Sequence, residues 1–253
     1  MTPRLRPAVS AIVMAAAVVA CGSDSTGPSS SPRTLNQALA ELSIPALAVG
    51  GLALAGIEGP APSLDPQTCP YSAADRGFVC SPISRSGITI AQSFTLYGAS
   101  GLQSAFDPAG TSSIHSSTLF DGTSVEQGTS LTVSGRQETT LGGLDTGLHL
   151  LNGWSALRIV GTVSDETSTY PVSVTVTTSF IDLVLPTNAN GAAVWPSSGR
   201  ITADIDGTIG PVNLNKHTEI TFTGSSSAIV GVTGPGGAAK SCKVDLAVAQ
   251  AVC

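Results

Sequence analysis

Apolar and polar side chains alternate with a period of two along most of the chain from Tyr71 onward. Ile88, Ile90, Phe94 and Leu96 share one parity, with Gln92 the exception. Leu131 and Val133 open another alternating segment that runs through Thr139 to Leu141. Tyr170, Val172, Val174, Val176 and Phe180 occupy even positions, after which Ile181, Leu183 and Leu185 occupy odd ones. Such a switch of parity predicts either a β-bulge near Phe180 or a strand entering a region buried on both faces. Ile201, Ala203, Ile205 and Ile209 alternate again, as do Ile220 and Phe222, then Ala228, Val230 and Val232. Ser and Thr fill the opposing positions, which suits a pleated surface with one face in water.

Turn signals divide these segments. Asn152-Gly153, between Leu150-Leu151 and Leu157/Ile159, predicts a two-residue hairpin. Asp121-Gly122, Gly142-Gly143, Ser164 to Ser168 and Gly234 to Gly237 predict further breaks. Ahead of the strands, Thr34 and Gln37 form a capping-box pattern, with Leu35, Ala38, Leu39 and Leu42 on one helical face. Pro45 ends that helix, and no long amphipathic helical pattern follows it. Residues 46–57 are apolar, Gly-broken and too short to cross a bilayer. The expected fold is mainly β. It is a single antiparallel sheet domain of about ten strands, a curved half-barrel or a sandwich, with one short N-terminal helix.

The first residues carry an address. Arg4 and Arg6 precede an almost wholly apolar run from Ala8 to Ala20, with no acid among them. This is the layout of a secretory leader, and the run is too short for a transmembrane helix. Val18-Val19-Ala20-Cys21, followed by Gly22-Ser23-Asp24-Ser25, resembles the lipobox of bacterial lipoprotein precursors. The resemblance implies cleavage before Cys21 and lipidation of its thiol with a diacylglyceryl group. Two or more fatty chains make a lasting anchor, whereas a single chain holds only marginally. Gly22 in place of Asp after the Cys favours, by the same resemblance, the outer membrane of a double-membraned bacterium. Val18-x-Ala20 also fits ordinary signal-peptidase cleavage, so plain secretion is the alternative. The expected organisation is a signal peptide over 1–20, a lipidated Cys and flexible Ser/Gly/Pro linker over 21–33, and the β-domain over 34–253.

Composition sharpens the picture. With Arg4 and Arg6 removed, 9 basic face 17 acidic residues, a net side-chain charge of −8. Charged residues are 11% of the sequence and no Lys/Arg cluster occurs, so the basic stripe of a nucleic-acid binder is missing. Aromatics at 4% leave the core to Val, Ile, Leu and Ala.

Cys21 apart, four cysteines remain: Cys69, Cys80, Cys242 and Cys253. Both local pairs enclose ten residues, and two hairpins stapled 69–80 and 242–253 are the favoured connectivity of the three that four cysteines allow. Asp75-Arg76-Gly77 supplies one turn and Ala247 to Gln250 the other. The Cys spacing of zinc sites is absent, and an exported chain favours oxidised pairs.

Candidate chemistry is thin. Asp204-Ile205-Asp206-Gly207-Thr208 matches the D-x-D-G-T signature of haloacid-dehalogenase-type phosphatases, whose first Asp is the nucleophile. Those enzymes need a doubly wound α/β domain, which this helix-poor chain does not predict. The ordinary reading is polar alternation on a strand, with Gly207 at a bend. The same acids fit a twelve-residue Ca²⁺ loop poorly, because Thr202 and Asn213 stand where carboxylates are needed. His115, His149 and His217 form no metal-binding spacing, and no G-x-S-x-G elbow appears. Arg136, Arg158 and Arg200 are isolated and expected to pair with nearby acids. Trp154 and Trp195 suit either a ligand mouth or plugs at sheet ends.

No cofactor, catalytic residue or metal is expected. The expected role is a membrane-anchored envelope lipoprotein, a non-catalytic module that binds or carries an apolar ligand or an envelope-protein partner. The alternative is a structural or surface-interaction β-protein without a cavity, and a secreted hydrolase is a distant third. An enclosed apolar cavity distinguishes the first from the second. A His reaching both a Ser and an Asp in one pocket would mark the third.

Overall fold

The computed structural model describes residues 69–252, apart from 86, 108, 127–128, 147, 165–167, 187–195, 235–236, 238 and 246–249. The leader, the lipobox with Cys21, the linker, the Thr34–Leu42 helix, Trp195 and Cys253 lie outside the described residues.

Regular structure among the described residues is entirely β. In chain order the strands are β1 (Tyr71–Ser72), β2 (Gly77–Val79), β3 (Ile83–Arg85), β4 (Ile88–Gly98), β5 (Gly101–Gln103), β6 (Thr111–Glu126) and β7 (Thr129–Gly142). They continue as β8 (Leu148–Ser164), β9 (Thr169–Pro186), β10 (Ser198–Ile209), β11 (Val212–Phe222), β12 (Ser227–Thr233), β13 (Ala239–Asp245) and β14 (Gln250–Val252). One antiparallel sheet holds them in the order β1-β2-β4-β6-β7-β8-β9-β10-β11-β12-β13-β14, with β3 and β5 also paired to β4. Its two ends do not pair with each other, so the sheet is open rather than a closed barrel. Nine strands have seven residues or more, close to the ten read from alternation. The other five, of two or three residues, are too short to show a pattern.

A single layer buries one face by curving around it or by being covered, and glycines here let neighbouring strands approach closely. At Gly207 (φ 142°) a Cβ would lie 2.1 Å from the Ser173 carbonyl oxygen of the neighbouring strand. At Gly161 (φ 152°) it would lie 2.0 Å from that of Ser130. Only a residue without a side chain lets strands press together at these points.

The buried face carries three apolar clusters. The largest joins Ile88, Ile90, Phe120, Val133, Leu157, Ile159, Val174, Ile209 and Leu214, drawn from β4 through β11. A second contains Leu141, Leu151, Phe180, Leu183, Phe222 and Val230, and a third Phe78, Leu96 and Ile114. Leu96 and Leu151 are completely inaccessible. Burying each such side chain contributes about 1.5–3 kcal/mol.

Between these clusters runs a row of polar residues on the same inner face. Directly paired positions place Gln92 beside Thr118, Thr118 beside Gln137, and Gln137 beside Ser155. The row continues through Thr178, Ala203 and Thr218 on β9, β10 and β11. Thr118, Gln137, Ser155 and Thr218 are buried, as is Thr139 one step along β7. On one side of the row lies the first cluster, and on the other lie the second and third.

The parity switch in β9 is a bulge. Leu151 pairs Leu183 while Gly153 pairs Phe180, so β9 uses one residue more than β8 over that interval. The same extra residue appears against β10, between the Ser198–Val184 and Arg200–Ile181 pairs. Asp182 adopts a left-handed backbone (φ 49°) at the bulge. Its N–H, displaced from the ladder, donates to Asn152 Oδ1 at 2.8 Å.

Two turn expectations are corrected. Asn152-Gly153 is no hairpin, because β8 runs unbroken from Leu148 to Ser164. Asn152 serves the bulge, and Gly153 admits β7, whose Glu138 carbonyl oxygen would meet a Cβ there at 2.2 Å. Asp121-Gly122 likewise lies inside β6. Gly122 allows the backbone of Gly87 to approach, where a Cβ would stand 2.2 Å from its oxygen.

The first hairpin forms as expected. Tyr71 pairs Phe78 and Ser72 pairs Gly77, while the Ser72 hydroxyl donates to Asp75 Oδ2 at 2.6 Å within the turn. Cys69 and Cys80 continue that register and are joined by a disulfide. At the other end, β13 and β14 pair through Lys243–Val252 and Val244–Ala251. Cys242 is also disulfide-bonded.

Candidate functional site

Alternation that sends apolar side chains inward sends Ser, Thr and charged residues outward, so candidate chemistry collects on the outer face. One outward row crosses the sheet through Ser93, Ser117, Glu138, Trp154, Ser179, Thr202 and Glu219. The next row carries Ala91, Leu119, Arg136, Ala156, Thr177, Asp204 and His217.

Two charged groups stand in these rows. Glu138 is the hub of the first, its side chain only 12% exposed although it faces outward. Glu138 accepts from the Ser117 hydroxyl at 2.9 Å, pairs with His115 Nε2 at 2.8 Å and forms an ion pair with Arg136. His115 Nδ1 meets the Thr140 hydroxyl at 3.1 Å. In the second group His217 Nδ1 lies 2.6 Å from Asp204 Oδ1, with both side chains about half exposed. Arg200 and Glu219 stand 4.0 Å apart nearby, and Glu219 also accepts from Thr221 at 3.4 Å. Exposed pairs of this kind contribute about 0–1 kcal/mol each.

The first group has the ingredients of a nucleophilic site in the wrong order. In a triad the imidazole stands between hydroxyl and acid. Here the Glu138 carboxylate stands between Ser117 and His115, and the hydroxyl that meets His115 belongs to Thr140. The strands also remove the electrophilic half of such a site. β6 lies between β4 and β7, and β7 between β6 and β8, so the local amides are spent on ladder bonds. No pair of free N–H groups remains there to form an oxyanion hole. A shallow cleft of about 400 Å³ beside Cys242 is lined by Thr223, Ser225, Ser227 and Lys243 among others, without His, Asp or Glu.

The other sequence candidates are dispersed. Asp204 and Asp206 lie on β10, antiparallel to both neighbours, so the D-x-D-G-T match lacks the parallel strand that its chemistry requires. Among the described residues no group of three or more His, Cys, Asp or Glu could hold a metal ion. His149 is the second residue of β8, apart from the other two histidines on β6 and β11. Trp154 stands neither at a mouth nor at a sheet end. It lies mid-strand on the outer face, 43% exposed, beside Glu138 and Ser179. Arg136 and Arg200 pair with acids as expected. Glu138 escaped the sequence reading, because its Ser117 and His115 partners belong to another strand and only register joins them.

No protein-family model matches the chain, and no curated protein or solved structure is significantly similar to it.

Proposed function

We propose that the protein is a non-catalytic envelope lipoprotein, anchored through Cys21, that works by surface contact across the outer face of its packed sheet. The anchor reading rests on the Val18-Val19-Ala20-Cys21 segment and on the charged, then apolar, residues before it. The choice of surface contact over lipid carriage rests on the inner face. A carrier of acyl chains needs a continuous apolar cavity on the order of hundreds of cubic ångströms. The polar row from Gln92 to Ser155 cuts across the inner face instead. An acyl chain laid along that face would cross it and strand buried hydrogen-bonding groups. The outer face offers the opposite character, with Ser and Thr between two fixed ion-pair groups and an exposed Trp154.

Carriage of an apolar ligand is the second reading, favoured only by the apolar clusters that flank the polar row on the inner face. Native mass spectrometry of the full chain, extracted from its membrane in mild detergent, separates the two. Surface contact predicts the mass of the acylated chain with no stoichiometric lipid cargo. One extractable lipid per chain, beyond the acyl groups on Cys21, would overturn it. Cys21→Ser is expected to release the protein from membranes or leave it unprocessed, and unchanged membrane partition would refute the anchor.

A further inference from the structure

We propose that the inner polar row is a binding site for a neutral hydrogen-bond donor, water or a small hydroxylated molecule, seated against Gln137. The inference goes beyond surface contact and stands independently of the anchor.

Gln137 is 3% exposed, and its Oε1 has no hydrogen-bond partner. A buried carbonyl oxygen left unpaired is costly, and native interiors pair such atoms with protein or with bound water. The groups around it are suited to sharing a guest. Thr118 and Ser155 are its direct cross-strand neighbours on either side, 3% and 6% exposed, and Thr139 stands one inward step along β7. Directly opposed residues hold their Cβ atoms about 4.5–5.5 Å apart, a span that one bridging oxygen closes. Hydroxyls both donate and accept, so a guest that donates to Gln137 Oε1 can also accept from Thr118, Ser155 or Thr139. Thr118 is tied on its far side to Gln92 Nε2 at 3.5 Å, which extends the row to β4.

Chemistry narrows the guest. Oε1 only accepts, so the guest donates. No charged side chain stands in the row from Gln92 to Thr218, so the site offers nothing to neutralise an ion. Apolar clusters close it off on both sides, so the guest is small.

The test compares the full chain with Gln137→Met, which keeps the length of the side chain and deletes the amide. Water-oxygen magnetic relaxation dispersion counts long-lived internal waters, and native mass spectrometry detects a retained small molecule. If water is the guest, the dispersion amplitude falls by at least one water in Gln137→Met. If an organic molecule is the guest, its mass increment vanishes in the variant. Unchanged dispersion and unchanged mass, with a thermal midpoint equal to or above that of the parent, would show a dry orphan and overturn the proposal. Should Gln137→Met fail to fold, Thr118→Val and Ser155→Ala carry the same two readouts. A signal unaffected in both overturns it as well.

Discussion

Leu150 and Leu151 are consecutive residues of β8 that the sheet sends to opposite faces. Leu150 is 37% exposed on the outer side, and Leu151 is fully buried in the cluster with Phe180 and Leu183. Truncating each to Ala therefore tests the register of the whole sheet, since a slip of one residue would exchange their roles. Leu151→Ala loses the transfer energy of the deleted carbons and leaves a cavity, together about 2–5 kcal/mol. Leu150→Ala leaves no enclosed cavity and removes a side chain already partly in water, so about 1 kcal/mol is expected. For a domain of this size each kcal/mol lowers the midpoint by roughly 2–4 °C, so Leu151→Ala should melt about 4–20 °C below the parent. Urea unfolding followed by circular dichroism provides the equilibrium measurement, with unchanged m-values confirming that both variants report on the same transition. Equal losses, or a larger loss at Leu150, would mean that β8 does not present the faces described.

Non-reducing peptide mapping should link Cys69 to Cys80 and Cys242 to Cys253, and a crossed linkage would refute the two-hairpin scheme. Asn152→Ala removes the acceptor for the bulged Asp182 N–H, an exposed hydrogen bond, and should destabilise by about 0.5–1.5 kcal/mol. An unchanged unfolding midpoint would show that water replaces the amide at no cost. Gly207→Val sets a branched side chain against the Ser173 backbone, and should abolish soluble folded protein or lower its midpoint sharply. A variant as stable as the parent would show that strands β9 and β10 are not pressed together there. Glu138→Gln keeps the shape of the hub but weakens its pairs with Arg136 and His115. The change should cost less than about 2 kcal/mol at neutral pH, because both partners are half exposed. A larger loss would mark the group as structurally central.

Strands with strict alternation were legible in the sequence, and β4, β7 and β9 lie where the apolar parity put them. The bulge near Phe180 was legible too, because one inserted residue necessarily moves every later side chain to the other face. Asn152-Gly153 was misread for a physical reason. The turn preference of that dipeptide is local, whereas here β9 needs a side-chain acceptor at its bulge and β7 needs room beside Gly153. Gln92 stood out as an exception to its own strand, yet nothing in β4 alone shows that Thr118, Gln137 and Ser155 stand beside it. Such rows exist only in the pairing between strands. Glu138 was invisible for the same reason, since Ser117 lies 21 residues away in sequence but at hydrogen-bonding distance in the sheet.

From β7 to β13 each strand pairs with the one that precedes it and the one that follows. A chain built this way never waits for a distant segment before its next strand has a place to add. It can zip from either terminus, one hairpin at a time. Topologies that join remote strands leave unpaired edges exposed while synthesis catches up, and they fold slowly as a result. Stepwise growth of this kind leaves only the newest strand waiting for its next partner from the same chain.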